Sequence, residues 1–108
     1  MTTENNKIIA EFMGVSKSKI DANGQVLNFE NSKYNTYNSD WNWLMEVVEK
    51  IESLGYWTEL LGGYHQEFRI GKINQIKEFI NKNGSDKKEA VYNACIEFIK
   101  WYNEQNKV

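Results

Sequence analysis

Residues 40–70, DWNWLMEVVEKIESLGYWTELLGGYHQEFRI, decide the fold, because the hydrophobic period changes within them. From Asp40 to Leu54 the apolar residues recur every three to four positions, the spacing of a helix face. Leu44, Val48 and Ile51 make the central stripe, with Trp41 and Met45 to one side and Trp43, Val47 and Leu54 to the other. Ser39 or Asp40 is placed to cap the N-terminus, and Gly55 to end the helix. After Gly55 the period becomes two. Tyr56 to Leu61 and Tyr64 to Ile70 read as a hairpin around Gly62-Gly63, residues free to adopt the positive φ of a tight turn. In the second strand Tyr64, Gln66, Phe68 and Ile70 share one face, and His65, Glu67 and Arg69 the other. The sheet therefore has one buried face and one wet face.

Downstream, residues 72–82 are ambiguous: Ile73, Ile76, Phe79 and Ile80 fit a short amphipathic helix slightly better than a strand. The longest helix follows at residues 86–104, with Ser85 as its expected cap. Its apolar arc (Ala90, Val91, Ala94, Cys95, Phe98, Ile99 and Tyr102, widened by Tyr92, Ile96 and Trp101) covers roughly 240°, and that of residues 40–54 roughly 200°, against about 100° for a helix lying on one core face. Upstream, residues 4–13 read as a short helix with Ile8, Ile9, Phe12 and Met13 on one face and Gly14 as its C-terminal cap. Val15 to Asp21 and Gln25 to Glu30 flank the turn signal Asp21-Ala22-Asn23-Gly24 and suit a small hairpin. Residues 31–39 read as a loop. The expectation is an α+β fold in one domain, residues 1–108: a small antiparallel sheet packed against two long helices plus a short N-terminal helix, a layered sandwich.

Composition narrows function. The chain has 108 residues, 41% apolar and 26% charged, with a formal net charge of -2. That balance gives no general electrostatic hold on nucleic acid, which is an unlikely partner, or on an anionic membrane. No stretch is apolar for the roughly 18–20 residues of a membrane span, and the start lacks the pattern of a secretion signal. A single cysteine fits a reducing cytosol. Proline is absent, and Asn, Lys and Ile number 14, 12 and 10. Their A/T-rich codons imply an A/T-rich genome, that of a low-GC bacterium or of something that replicates in one.

Catalytic chemistry finds few bearers. One His, one Cys and three Asp stand in no ligand spacing, so no metal and no cofactor is expected. A nucleophile–base pair would have to join Cys95 to His65, yet Cys95 lies mid-stripe in the last helix and reads as a core residue. Glu46 and Glu49 read as surface glutamates, and the lysines at 72, 77, 82, 87 and 88 as a solvated face. No catalytic residue is assigned, and the chain is not expected to be an enzyme. What is left over is aromatic: fifteen of the 108 residues are Phe, Trp or Tyr, more than a small core requires. Trp41, Trp43, Trp101 and Tyr102 fall where helices are expected to meet solvent. Stacking on such rings holds a flat ligand, and Arg69, the only arginine, is a natural phosphate anchor beside His65. The candidate ligand-binding set is Tyr37, Trp41, Trp43, Trp57, Tyr64, His65, Arg69 and Trp101.

Three segments resemble the phage ABA sandwich domain family of small phage and prophage proteins. Ile8-Ile9-Ala10-Glu11-Phe12-Met13-Gly14 resembles its opening helix. Tyr37, Asp40-Trp41, Leu44-Met45 and Val47-Val48-Glu49-Lys50-Ile51 are similar to its second element. Lys88-Glu89-Ala90-Val91-Tyr92-Asn93-Ala94-Cys95-Ile96 is similar to its closing helix. The likeness keeps this order but departs at residues 15–36, where Val15 replaces the tryptophan that follows the glycine, and at residues 62–84. It implies a helix–sheet–helix layering and a viral origin, and transfers no catalytic residue. The expected function is a non-enzymatic binding protein of the host bacterial cytosol that sequesters a small nucleotide-derived immune signal and so counters host defence. The alternative is an interaction module that blocks a host protein or serves in the virion. Two apolar arcs this wide also predict a homo-oligomer, a dimer or higher.

Overall fold

The computed structural model describes residues 2–28, 33–63 and 66–106. Helix α1 is Thr2–Phe12; strands β1 (Val26–Asn28) and β2 (Lys33–Asn35) pair with each other; helix α2 is Trp41–Ser53. A three-stranded antiparallel sheet follows, β3 (Tyr56–Leu61), β4 (Gln66–Lys72) and β5 (Glu78–Gly84), in the order β3-β4-β5, and helix α3 (Lys87–Gln105) closes the chain. The fold is α+β. No helix among the described residues is long and apolar enough to cross a membrane.

Pairing places Thr58 opposite Ile70 and Ile70 opposite Ile80, so these residues share one face of the sheet. All three helices lie to that side. Lys82, paired with Phe68, reaches Glu97 of α3, and Thr58 Oγ1 donates to Glu52 Oε2 of α2 at 2.6 Å. Helix α3 covers β4 and β5 with one flank and meets α1 and α2 with others. Its wide apolar arc is thus taken up within one subunit: Ala90, Val91, Ala94, Cys95, Phe98 and Ile99 are all fully buried. The layering is helices on a sheet, not the helix–sheet–helix order that the resemblance implied. The argument for self-association from that arc falls with it.

The rings expected at the surface also turn inward. Phe98 sits among Phe12, Tyr56, Phe79, Trp101 and Tyr102, with ring centroids 4.8 to 6.4 Å away. Trp101 and Tyr102 are half-buried in this cluster, and Trp43 packs on buried Tyr37 at 5.2 Å. Trp41 alone of these keeps an exposed ring, at 38%.

Residues 72–82 form a turn and a strand, not a helix. The pairing runs from Ile70↔Ile80 to Gly71↔Glu78 and skips Phe79. That extra residue is a bulge, and it brings Phe79 onto the helix side beside Ile80, against Trp101 at 4.7 Å. Two adjacent apolar residues that face the same way look helical in sequence; a bulge produces the same pattern in a strand. Asn74 takes the left-handed conformation at φ 74°, which Asn tolerates, and turns the chain between β4 and β5.

Three smaller expectations also change. The turn at residues 21–24 forms, with Asp21 Oδ1 accepting from the backbone N–H of Asn23 and Gln25, but the proposed hairpin shrinks to one bridge, Ile20↔Val26. Val26–Asn28 pairs forward with β2, inside the segment read as a loop. The cap of α3 is Asp86, not Ser85: Asp86 Oδ1 accepts from Glu89 N at 2.8 Å, while the Glu89 carboxylate accepts from Ser85 N and Oγ. The α2 cap is Asp40, as read, accepting from Trp43 N.

Helix α1 is fixed by one buried polar side chain. Asn6, 2% exposed, donates through Nδ2 to Asn38 Oδ1 and accepts from the Tyr92 hydroxyl, both at 2.9 Å. Gly24 packs so closely on α1 that a Cβ there would lie 2.7 Å from Thr3 O. Burial pushes the Tyr92 hydroxyl from 10.0 up to about 12. Tyr92→Phe strands Asn6 Oδ1 and is expected to cost about 1–3 kcal/mol in urea unfolding. The raised value means that the fold favours the protonated phenol. Its contribution is complete below the ordinary value of 10.0 and is lost as pH climbs through about 12. The wild-type stability curve is therefore expected to fall across that window, and less steeply in Tyr92→Phe.

Candidate functional site

The eight aromatic and basic residues picked from the sequence do not converge. Tyr37 is 5% exposed and forms part of the core; burial, with Glu46 nearby, pushes its hydroxyl up to about 12. Trp43 packs on it. Trp101 belongs to the ring cluster around Phe98. Trp57 lies across Gly71 on the far face of the sheet: a Cβ at Gly71 would meet the indole at 2.2 Å, and Trp57 Nε1 donates to Gln75 O at 2.8 Å. Tyr64 and His65 lie outside the described residues.

Arg69 is on that far face and is engaged. Its Nε donates to Glu67 Oε2 at 2.6 Å, and its Nη1 is 3.6 Å from Glu59 Oε1. The hydrogen bond to Glu67 first, then the charges of Glu67, Glu78 and Glu59, hold the guanidinium more firmly protonated. Three carboxylates around one guanidinium leave a negative surface, which repels a phosphate.

Trp41 stands elsewhere, at the edge of an open groove of about 570 Å³ lined by Gln66, Ser85, Asp86, Lys87 and Lys88. That volume falls in the range of small-molecule sites, roughly 300–1,000 Å³. The groove lies between the first residues of α2 and α3. Lys88 Nζ bridges them by donating to Ser39 O at 3.3 Å. Beside it a polar hollow of about 290 Å³ is lined by Thr2, Asn38, Asp86, Lys88, Glu89, Tyr92 and Asn93, so the start of α1 belongs to the same end of the molecule. Helix N-termini carry partial positive charge and unpaired N–H groups, and two lysines add full charges. Gln66 contributes an amide whose Nε2 donates to Gly63 O at 3.0 Å, while its buried Oε1 has no partner among the described residues. The arrangement offers a flat apolar face, two ammonium groups and amide edges, with the Ser85 hydroxyl held by the Glu89 carboxylate at 3.0 Å.

Sequence reasoning found Trp41 and Gln66 as members of patterns but read Lys87 and Lys88 as solvated surface. The available signal was Asp86-Lys87-Lys88-Glu89, a cap followed three residues later by Glu, which fixes where α3 starts and so which end of it the lysines occupy. Among the described residues, no three His, Cys, Asp or Glu groups come together in a metal-holding cluster. Cys95 is fully buried and burial pushes its thiol up, away from the thiolate a nucleophile needs. No family model, no curated protein and no solved structure matches the chain.

The Cys95 environment gives a direct check. In native buffer at pH 8, Ellman's reagent is expected to leave the thiol unmodified over minutes and to titrate one thiol per chain once guanidinium unfolds it. Rapid modification of the native protein would place Cys95 at the surface.

Proposed function

We propose that this chain is a non-enzymatic binding protein of phage type that holds a small, planar, anionic ligand in the groove between the starts of α2 and α3. The ligand class is nucleotide-derived, and sequestration of such a signal in the cytosol of an infected bacterium is the role. The observation that carries the reading is the meeting of the exposed Trp41 ring with Lys87 and Lys88 at one groove. An indole face stacks on a base, a contact worth about 1–3 kcal/mol. Ammonium groups at a helix start suit a phosphate. The basic anchor in this reading is therefore the lysine pair and not Arg69, whose surroundings are acidic. A second reading, an interaction module that docks on a host or virion protein, is favoured by the apolar side chains exposed at the opposite end of the sheet, Ile73 and Ile76.

Calorimetry and thermal-shift measurements against cyclic mono- and dinucleotides and ADP-ribose derivatives test the first reading. At least one compound is expected to raise the melting temperature by several degrees, since ligand at a hundred times its Kd adds about 2.7 kcal/mol. Trp41→Ala is expected to weaken that binding about tenfold, and Lys87→Ala with Lys88→Ala to weaken it further and flatten its salt dependence. Absence of any stabilisation, or full binding by Trp41→Ala, overturns this reading.

A further inference from the structure

The six large hydrophobic side chains exposed among the described residues are not scattered. Trp41 belongs to the groove and Leu60 stands alone, but Leu54, Ile73, Ile76 and Phe79 are 39%, 53%, 99% and 38% exposed at one end of the sheet. The backbone N–H of Ile73 donates to Gly55 O at 3.2 Å, which sets the β4–β5 turn beside Leu54. Phe79 enters β5 from the same turn. Single exposed apolar residues need no explanation; two in one turn, with Leu54 and Phe79 on the elements beside it, do.

The tip is also held in shape. Gln75 N donates to Lys72 O at 3.0 Å, Gln75 O accepts from Trp57 Nε1, and Asn74 is fixed in the left-handed conformation. Ile76 thus points into solvent from a turn braced on both sides, and little ordering remains to be lost when it is covered. Lys77 follows it directly, and Lys72 stands at the base of the turn with its ammonium 5.7 Å over the Trp101 ring; both side chains are exposed. Of the neighbouring carboxylates, Glu52 accepts from Thr58, and Glu78 pairs with Gly71 on the far face of the sheet, the face of Arg69.

We propose that this tip docks an acidic amphipathic segment of a partner protein. The partner's apolar side chains would cover Ile73, Ile76, Leu54 and Phe79, and its carboxylates would meet Lys72 and Lys77. Charge selects this occupant. A second copy joined tip to tip would set Lys72 and Lys77 against their own counterparts, and like charges across an interface disfavour pairing. The proposal rests on the interaction-module reading and is independent of the groove.

A displayed library of random twelve-residue peptides, selected on the intact chain, tests it. Enriched peptides are expected to combine bulky apolar residues with Asp or Glu. Their affinity is expected to drop about tenfold in Ile76→Ser, and to drop and lose its salt dependence in Lys72→Glu with Lys77→Glu. The melting temperature of Ile76→Ser is expected to stay unchanged, since Ile76 is 99% exposed, and that of Lys72→Glu with Lys77→Glu to fall slightly as the ammonium leaves the Trp101 ring. Enriched peptides that bind Ile76→Ser equally well, or that are neutral or basic, overturn the tip while leaving the module reading standing. Enrichment of no peptide overturns both. Co-sedimentation with phosphatidylglycerol–phosphatidylcholine vesicles, or a concentration-dependent dimer in light scattering, assigns the tip to another occupant and overturns the proposal if Ile76→Ser abolishes it.

Discussion

Phe98 is the point at which separate parts of this chain become one core. Its ring is fully buried and is met from α1 by Phe12, from β3 by Tyr56, from β5 by Phe79, and from its own helix by Trp101 and Tyr102. Aromatic pairs in edge or offset geometry add about 0.5–1.5 kcal/mol beyond the area they bury. Six rings sharing one centre also lock the relative position of the elements that carry them. Lys50 of α2 joins the same assembly: its ammonium lies 4.5 Å over the Phe12 ring and donates to the Phe12 carbonyl. Large rings fill the space between the helices and the three-stranded sheet, and six of the fifteen aromatic residues are used there.

That use of the rings changes what the surface has to do. A ring that fills the core is not a stacking platform, so Trp43, Trp101 and Tyr37 leave the pool of ligand contacts. The bulge at Phe79 follows from the same demand. A regular β5 would send Phe79 to the far face with Asn81 and Asn83; the slipped register turns it toward Trp101 and Phe98. Apart from Trp57, the far face carries charge among the described residues, and Arg69 there is shared among three carboxylates.

The fold was legible where period and punctuation agreed. Asp40, the stripe Leu44–Val48–Ile51 and Gly55 bounded α2, and the alternation of Phe68 and Ile70 with Glu67 and Arg69 assigned the two faces of β4. It was illegible where one local pattern has two structural causes. Phe79-Ile80 reads as a helix pair or as a bulged strand, and only the partner strand decides. Val26 to Asn28 could pair backward across the Asn23-Gly24 turn or forward with β2, and the sequence carries a turn signal for the first choice alone. The candidate site was less legible still. Composition counts rings but does not say which point inward, since that depends on contacts between segments as distant as Phe12 and Phe98. Arg69 shows the same limit in charge: its value as an anchor depends on Glu59, which pairing sets directly opposite it.

The distribution of helix starts explains why chemistry gathers at one end and apolar surface at the other. Thr2, Asn38 and Asp86 line one hollow, so the leading ends of α1, α2 and α3 lie together. Their unpaired N–H groups and aligned peptide dipoles concentrate partial positive charge there. The chain offsets part of it with Asp40, Asp86 and Glu89, each accepting from backbone N–H groups at or beside a helix start. Lys87 and Lys88 then restore positive charge on the groove side. The β4–β5 turn is fixed at the far end because α3 runs back along β4 and β5 from its start just after Gly84. A Cβ on Gly84 would lie 2.4 Å from Ala90 N, so strand and helix meet there at backbone contact. The same close packing that puts the helix starts at one end leaves the β4–β5 turn, with Ile73 and Ile76, projecting from the other.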